Sequence, residues 1–268
     1  MRGRANRGKS DVAGIGGAQH GKVMVFDFDG TVSLGDGPVR SYARFVAAGL
    51  DQGERTAFLA AIEAGLTGDV PQHLDPLDGY DLVHLLSARF GVTDSAHSAA
   101  YVASRAELAS DAAPVVAPPG LADFLADARS SARLVLATNA PDIRIADALD
   151  ALGLGGAFDE VHTSVGKPAG LESIIDRLLA ASIVDEPAAA LVSIGDVWAN
   201  DLGPAFRRGA TTALVGPRAD GAATPTLRAS SLEQLYPALT AWLEPDLSQP
   251  PHRTSSAASP TLETKVDQ

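Results

Sequence analysis

Val23 to Thr31 reads Val-Met-Val-Phe-Asp-Phe-Asp-Gly-Thr, and it limits the possible folds more than any other stretch of the chain. An apolar run without polar alternation reads as a strand buried on both faces, the kind found in parallel sheets. Side chains two apart on an extended backbone point to the same side. Asp27 and Asp29 are therefore expected to face one spot at the C-terminal end of that strand. Burying two unpaired carboxylates is costly, and a bound cation would relieve the cost. Gly30 lets the backbone turn beyond them.

The rest of the chain supplies the partners of such a strand. The first strand is predicted over roughly 22–28, followed by a loop holding Gly30, Gly35 and Gly37. From about 38 to 115 apolar residues recur at helical spacing: Val39, Tyr42, Phe45, Val46 and Leu50, then Phe58, Leu59, Ile62 and Leu66, then Leu82, Leu85, Leu86 and Phe90, with a last helix from about Ser95 to Leu108. No strand is expected among them. Pro114, Pro118, Pro119 and Gly120 have the composition of a hinge. Beyond it, short apolar strands alternate with helices. Strands are predicted over 134–137, 158–164, 191–194 and 211–215, and helices over 121–132, 142–154, 171–181, 201–209 and 232–243. Alternation of this kind argues for a parallel sheet with right-handed crossovers.

The expected fold class is α/β, a Rossmann-like parallel sheet core flanked by helices, carrying an inserted all-α cap. The core is assigned to 21–37 and 116–245 and the cap to 38–115. Residues 1–20 are expected to form a flexible arm and 246–268 a disordered tail, because both are poor in periodic apolar residues.

Composition excludes several classes of function. The formal net charge is −12, so no basic stripe is available to track nucleic-acid phosphates. There is no cysteine, which rules out disulfides and thiolate metal sites. The histidines lack metal-ligand spacing, and no zinc site is expected. Arg2, Arg4, Arg7 and Lys9 precede no apolar core, so no signal peptide is expected, and nothing approaches the ~20 apolar residues of a membrane helix. A soluble, cytoplasmic protein is expected, monomeric or weakly dimeric. The only lysines are Lys9, Lys22, Lys167 and Lys265. In a chain that otherwise uses arginine, Lys167 suggests a place where a compact point charge is needed.

Four loops that follow predicted strands carry the chemically useful residues: Asp27-Phe28-Asp29-Gly30-Thr31, Thr138-Asn139, Lys167-Pro168, and Gly195-Asp196-Val197-Trp198-Ala199-Asn200-Asp201. Open α/β sheets bind ligands beyond the carboxyl ends of their strands. Together these loops offer two pairs of carboxylates, a hydroxyl, an amide and one ammonium, which suits a hard cation and a small anion. Read singly, Thr138 and Asn139 also suit the N-cap of a following helix, and Asp201 the acidic first turn of one.

The order of these four sets resembles the four motifs of the haloacid dehalogenase-like (HAD) superfamily, and the helical insertion between the first two resembles an α-helical cap. That resemblance implies a Mg²⁺-dependent phosphatase acting on a small phosphorylated metabolite. It implies Asp27 as nucleophile, Asp29 as acid and base, and Mg²⁺ held by Asp27, the Asp29 backbone carbonyl and Asp196, with Asp201 in support. Thr138, Asn139 and Lys167 are implied as the phosphate receptor. An acid at position 29 argues against the dehalogenases, which need no leaving-group acid. A phosphomutase of the β-phosphoglucomutase type keeps both acids and remains an alternative, as does a non-catalytic phosphate-binding protein on the same fold. Two departures stand out: Val197-Trp198 after Asp196, with Trp198 expected to pack beneath its loop, and Pro204, which suits the first turn of a helix. In the cap, Arg40, Tyr42, Arg44, His73 and Tyr80 are candidates to point inward, with Arg40 and Arg44 equally suited to a solvated face.

Overall fold

The computed structural model describes residues 21–216 and 223–244. The expected N-terminal arm and C-terminal tail lie outside the described residues. Six parallel strands form one sheet: β1 (Lys22–Phe26), β2 (Ala132–Ala137), β3 (Glu160–His162), β4 (Leu191–Gly195), β5 (Thr211–Val215) and β6 (Leu227–Ala229). Their spatial order is β3-β2-β1-β4-β5-β6, with every pairing parallel. The chain therefore builds outward from β1 in one direction, then returns past it and builds in the other. The order reverses at β1 and β4, where a crevice opens beyond the strand ends.

The central strand owes its place to its side chains. Met24 and Phe26 face one layer of helices and Val25 the other, and all three are buried. Each such burial contributes about 1.5–3 kcal/mol. One face is covered by α5 (Leu121–Ala128), α6 (Ile145–Ala151) and α9 (Tyr236–Leu243), through Leu121, Leu125, Ile145, Leu149 and Leu239. The other is covered by α7 (Ala169–Ala180) and α8 (Gly203–Phe206), through Leu171, Ile175, Leu178 and Ala205.

Between β1 and α5 lie four α-helices, α1 (Gly37–Ala47), α2 (Gln52–Leu66), α3 (Gly79–Ser87) and α4 (Asp94–Arg105), which form the insertion. They enclose a core of their own, built on Val39, Tyr42, Val46, Phe58, Ile62, Leu82, Val83 and Leu86. The starts of α2, α3 and α4 are set by caps: Asp51 accepts from Glu54 N in a capping box, Asp78 from Asp81 N, and Thr93 from Ala96 N. Gly37 is needed where the chain enters the insertion, because a Cβ there would collide with Pro114 on the returning segment.

Several boundaries differ from the sequence reading. β1 stops at Phe26, and Phe28 is buried in the loop instead of continuing the strand. The helix predicted over 201–209 is a π-helical turn, Trp198–Leu202, running into the four-residue α8. The closing helix begins as a 3₁₀ turn, Leu232–Leu235. The predicted helix over 142–154 begins only at Ile145, because Arg144 takes a left-handed backbone, φ 56°. β6 was not foreseen: three residues, Leu-Arg-Ala, at a sheet edge are too short for an alternating pattern to register. Among the described residues, no helix is long and apolar enough to cross a membrane.

Candidate active site

Asp27 follows β1 and Asp196 follows β4, neighbours in the sheet, so parallel pairing alone brings their carboxylates to one place. Asp201 joins them from the π-helical turn. Its backbone N–H donates to Val197 O at 2.8 Å, its carboxylate accepts from Val197 N at 2.9 Å, and its carbonyl accepts from Ser193 Oγ at 2.6 Å. Oxygens of Asp27, Asp196 and Asp201 all lie within 4.8 Å of one another. Three carboxylates at this spacing suit a hard divalent cation.

Two glycines make the approach possible. Gly30 has φ 88°, and a Cβ on it would strike the Asp196 carboxylate. A Cβ on Gly195 would strike Asp201.

Lys167 reaches the cluster from the loop after β3. Its ammonium donates to Asp27 Oδ1 at 2.5 Å and to Asp201 Oδ1 at 2.8 Å, and its side chain is 2% exposed. Burial disfavours the ammonium, but the charges of Asp27 and Asp201 outweigh it and raise the Lys167 pKa. Burial pushes Asp201 up to about 7, Asp27 adds to the rise, and Lys167 opposes it. Burial also raises Asp196 well above the usual carboxylate range, with Asp27, Asp201 and Asp78 adding repulsion.

The second loop holds its neighbours in place. Asn139 Oδ1 accepts from the Lys167 backbone N–H at 2.7 Å, so its side chain fastens the lysine loop to the end of β2. The Thr138 hydroxyl is buried and accepts from Ala140 N at 3.0 Å, which leaves its own proton to donate.

Asp29 stands apart from the acidic triad. Its carboxylate meets Arg105 Nη1 at 3.2 Å through both oxygens and accepts from the Tyr80 hydroxyl at 3.3 Å. Arg105 Nη1 also donates to that hydroxyl at 3.0 Å. Burial raises the Asp29 pKa; Arg105 opposes the rise and Asp27 adds to it. Among the described residues, Arg105 Nε and Nη2 are buried without a hydrogen-bond partner, each a cost of about 1–3 kcal/mol.

Arg105 is the residue that sequence reading missed. A basic residue in the last turn of a helix looks like a complement to the helix dipole. The available signal was weak: Arg105 lies four residues after the half-buried Tyr101, beside the buried stripe of His97, Ala100 and Ser104 on α4. Of the cap candidates, Tyr80 points to the site. Arg40 pairs instead with Glu63 and Asp36, and Arg44 with Glu107, all at the surface. Tyr42 donates to or accepts from His97 Nδ1 inside the cap core. Trp198 packs on Phe206, ring centres 5.2 Å apart, and Pro204 sits in the first turn of α8.

A cavity of about 220 Å³ leads from the acids out between core and helical insertion. Leu34, Val39, Leu66, Leu82 and Tyr80 supply its apolar wall, and its charged lining residues are all acids: Asp29, Asp36, Asp78 and Asp196.

No sequence-family model matches the chain, and no curated protein matches it. Solved structures do. YfnB of Bacillus subtilis, described as a HAD-hydrolase bound to magnesium, shares 18% identity over 82% of this chain and 98% of its own, with a TM-score of 0.54. The L-2-haloacid dehalogenase RSc1362 shares 18% over 82% and 98%, with a TM-score of 0.50. A Thermotoga maritima protein described as a β-phosphoglucomutase shares 18% over 82% and 99%, also at 0.50. The sheet order, the site at its switch point and these likenesses agree: the chain has the fold of the haloacid dehalogenase-like hydrolases, with the helical insertion α1 to α4 between its first strand and α5.

Proposed function

We propose that the protein is a phosphatase of the haloacid dehalogenase-like superfamily that hydrolyses a small phosphomonoester with the help of Mg²⁺. The observation that carries this reading is charge. Asp27, Asp196 and Asp201 lie together around the Lys167 ammonium, and these four groups leave two negative charges when the acids are ionised, the complement of one divalent cation. The donor set is all oxygen, which suits Mg²⁺. Asp27, Asp196 and Asp201 would hold the ion, with the backbone carbonyl of Asp29 as a further donor. Once bound, the cation offsets the charge that otherwise keeps a carboxylate and a phosphate apart.

The residues divide the work. An Asp27 oxygen forms a bond to phosphorus as the bond to the leaving oxygen breaks, and Asp29 gives that oxygen its proton. Water then attacks the aspartyl phosphate, Asp29 takes its proton, and the bond between Asp27 and phosphorus breaks. Lys167 and Thr138 donate to the transferring phosphoryl oxygens, and Asn139 keeps the Lys167 loop in register. The leaving group lies in the cavity beside Asp29. Its acidic lining disfavours a second phosphate or carboxylate and favours an uncharged or amine-bearing leaving group.

The test is phosphate release from p-nitrophenyl phosphate, a neutral polyol phosphate, an amino-alkyl phosphate and a sugar bisphosphate, with EDTA and with Mg²⁺, beside halide release from a 2-haloacid. Release that needs Mg²⁺, vanishes in Asp27→Asn and is poorest for the bisphosphate supports the reading. Metal-independent halide release, or no phosphate from any substrate, overturns it.

A further inference from the structure

Arg105 is an odd residue to bury. Its side chain is 1% exposed, it sits beside Tyr80 and Tyr101 in the interior, and two of its three nitrogens have no hydrogen-bond partner among the described residues. Arginine is among the residues least often fully buried, and then as a rule in company. Its one set of polar contacts is Asp29 and the Tyr80 hydroxyl. Arg105 is not among the residues lining the cavity, so its position does not serve to grip a leaving group. What it can do from there is hold Asp29.

We propose that Arg105 is a positioning residue for Asp29, aided by Tyr80, and that the helical insertion thereby sets the aim of the catalytic acid. The inference rests on the phosphatase reading above. Asp29 comes from the loop after β1, while Arg105 ends α4 and Tyr80 opens α3. Asp29 is thus oriented by two side chains 76 and 51 residues away in sequence, both on the inserted helices. Nη1 meets both carboxylate oxygens and the Tyr80 hydroxyl meets one of them, so the two contacts together oppose rotation of the group. A carboxylate held in one plane delivers its proton along one line, and geometry of this kind governs the efficiency of acid catalysis.

A proton donor matters only when the leaving oxygen is basic. A nitrophenolate departs without help; an alkoxide does not. Misaiming Asp29 should therefore slow the first transfer from an alkyl phosphate and spare the first transfer from p-nitrophenyl phosphate. A general loss of structure would slow both alike.

The experiment is single-turnover release of the leaving group from each substrate by the full chain with Mg²⁺, in wild type, Arg105→Gln, Arg105→Lys, Tyr80→Phe and Asp29→Asn. Expected for Arg105→Gln is a loss of about 10²-fold on the alkyl phosphate, the lower end for general acid catalysis, and of less than about 5-fold on p-nitrophenyl phosphate. Arg105→Lys is expected to recover part of the alkyl rate. Adding Arg105→Gln to Asp29→Asn is expected to cost the alkyl substrate nothing further, since the two act as one unit. Should Arg105→Gln fail to fold, Tyr80→Phe removes a single hydroxyl and carries the same contrast at about 3-fold to 10-fold. Equal losses on both substrates, or a faster alkyl rate in Arg105→Gln, overturn the inference and leave the phosphatase standing. A wild type that releases neither leaving group overturns both.

Discussion

Replacing Lys167 with Met tests the electrostatic account of the site most directly. Met keeps much of the volume and removes the ammonium that lies 2.5 Å from Asp27 and 2.8 Å from Asp201. Both the lysine and Asp201 are nearly inaccessible to solvent, at 2% and 4% side-chain exposure, so water cannot take over the lost contacts. Breaking a buried pair by removing one partner costs about 3–5 kcal/mol. Proton uptake by the acids limits the loss, which places it at about 3 kcal/mol, the low end of that range. For a domain of this size that lowers the melting temperature by on the order of 10 °C. The assay is urea unfolding at pH 8, in EDTA and in Mg²⁺. Because the variant carries one more net negative charge at the site, Mg²⁺ should stabilise it more than it stabilises the wild type. At a concentration of 100 Kd the stabilisation reaches about 2.7 kcal/mol. Turnover should fall at least about 10²-fold, the usual loss on removing a donor to a developing oxyanion. A loss in EDTA below about 1 kcal/mol, or a smaller Mg²⁺ effect than in wild type, would refute the reasoning.

Two further outcomes follow from local geometry. Gly30→Ala places a Cβ against the Asp196 carboxylate in a backbone with φ 88°; it should destabilise by about 1–2 kcal/mol and cut turnover about 10²-fold through displacement of Asp196, read by calorimetry and kinetics. His97, bonded to Tyr42 and Ser87, has its pKa lowered by burial, with the His84 ring adding to the effect. A folded-state pKa below the unfolded ~6.5 means that the unfolded chain binds the extra proton, so the His97 contribution is intact above that pH and is lost as pH falls below it. The difference in unfolding free energy between wild type and His97→Gln should shrink in that direction, with a limiting slope of about 1.4 kcal/mol per pH unit; a flat difference would show that His97 does not titrate on unfolding.

Much of this protein was legible in the chain because it depends on local pattern. Val23–Phe26 reads as a doubly buried strand, and it is the middle of the sheet. The helical spacing of Phe58 and Ile62, or of Leu82 and Leu86, identifies buried helix faces wherever those helices pack. Asp27, Asp196, Asp201 and Lys167 could be named because each follows a strand, and a parallel sheet sends all such loops to one edge. The short edge strand β6 and the π-helical turn at Trp198 carry no periodic signal, since their form is set by neighbours across the sheet.

The divide shows most clearly in the pair Asp27-x-Asp29. That both acids follow a buried strand is read from the apolar run before them, but the alternation of an extended chain, which would turn both to one spot, does not hold there because β1 ends at Phe26. Tertiary structure alone decided where each acid turns. Asp27 faces Lys167 and the carboxylates beyond β4, while Asp29 faces Arg105 and Tyr80 on the inserted helices. The same docking leaves Arg40 and Arg44 at the surface and Arg105 inside. Three arginines of one chemistry are separated by helix register and by which face each helix presents to its neighbours, and packing across long sequence separations settles that choice.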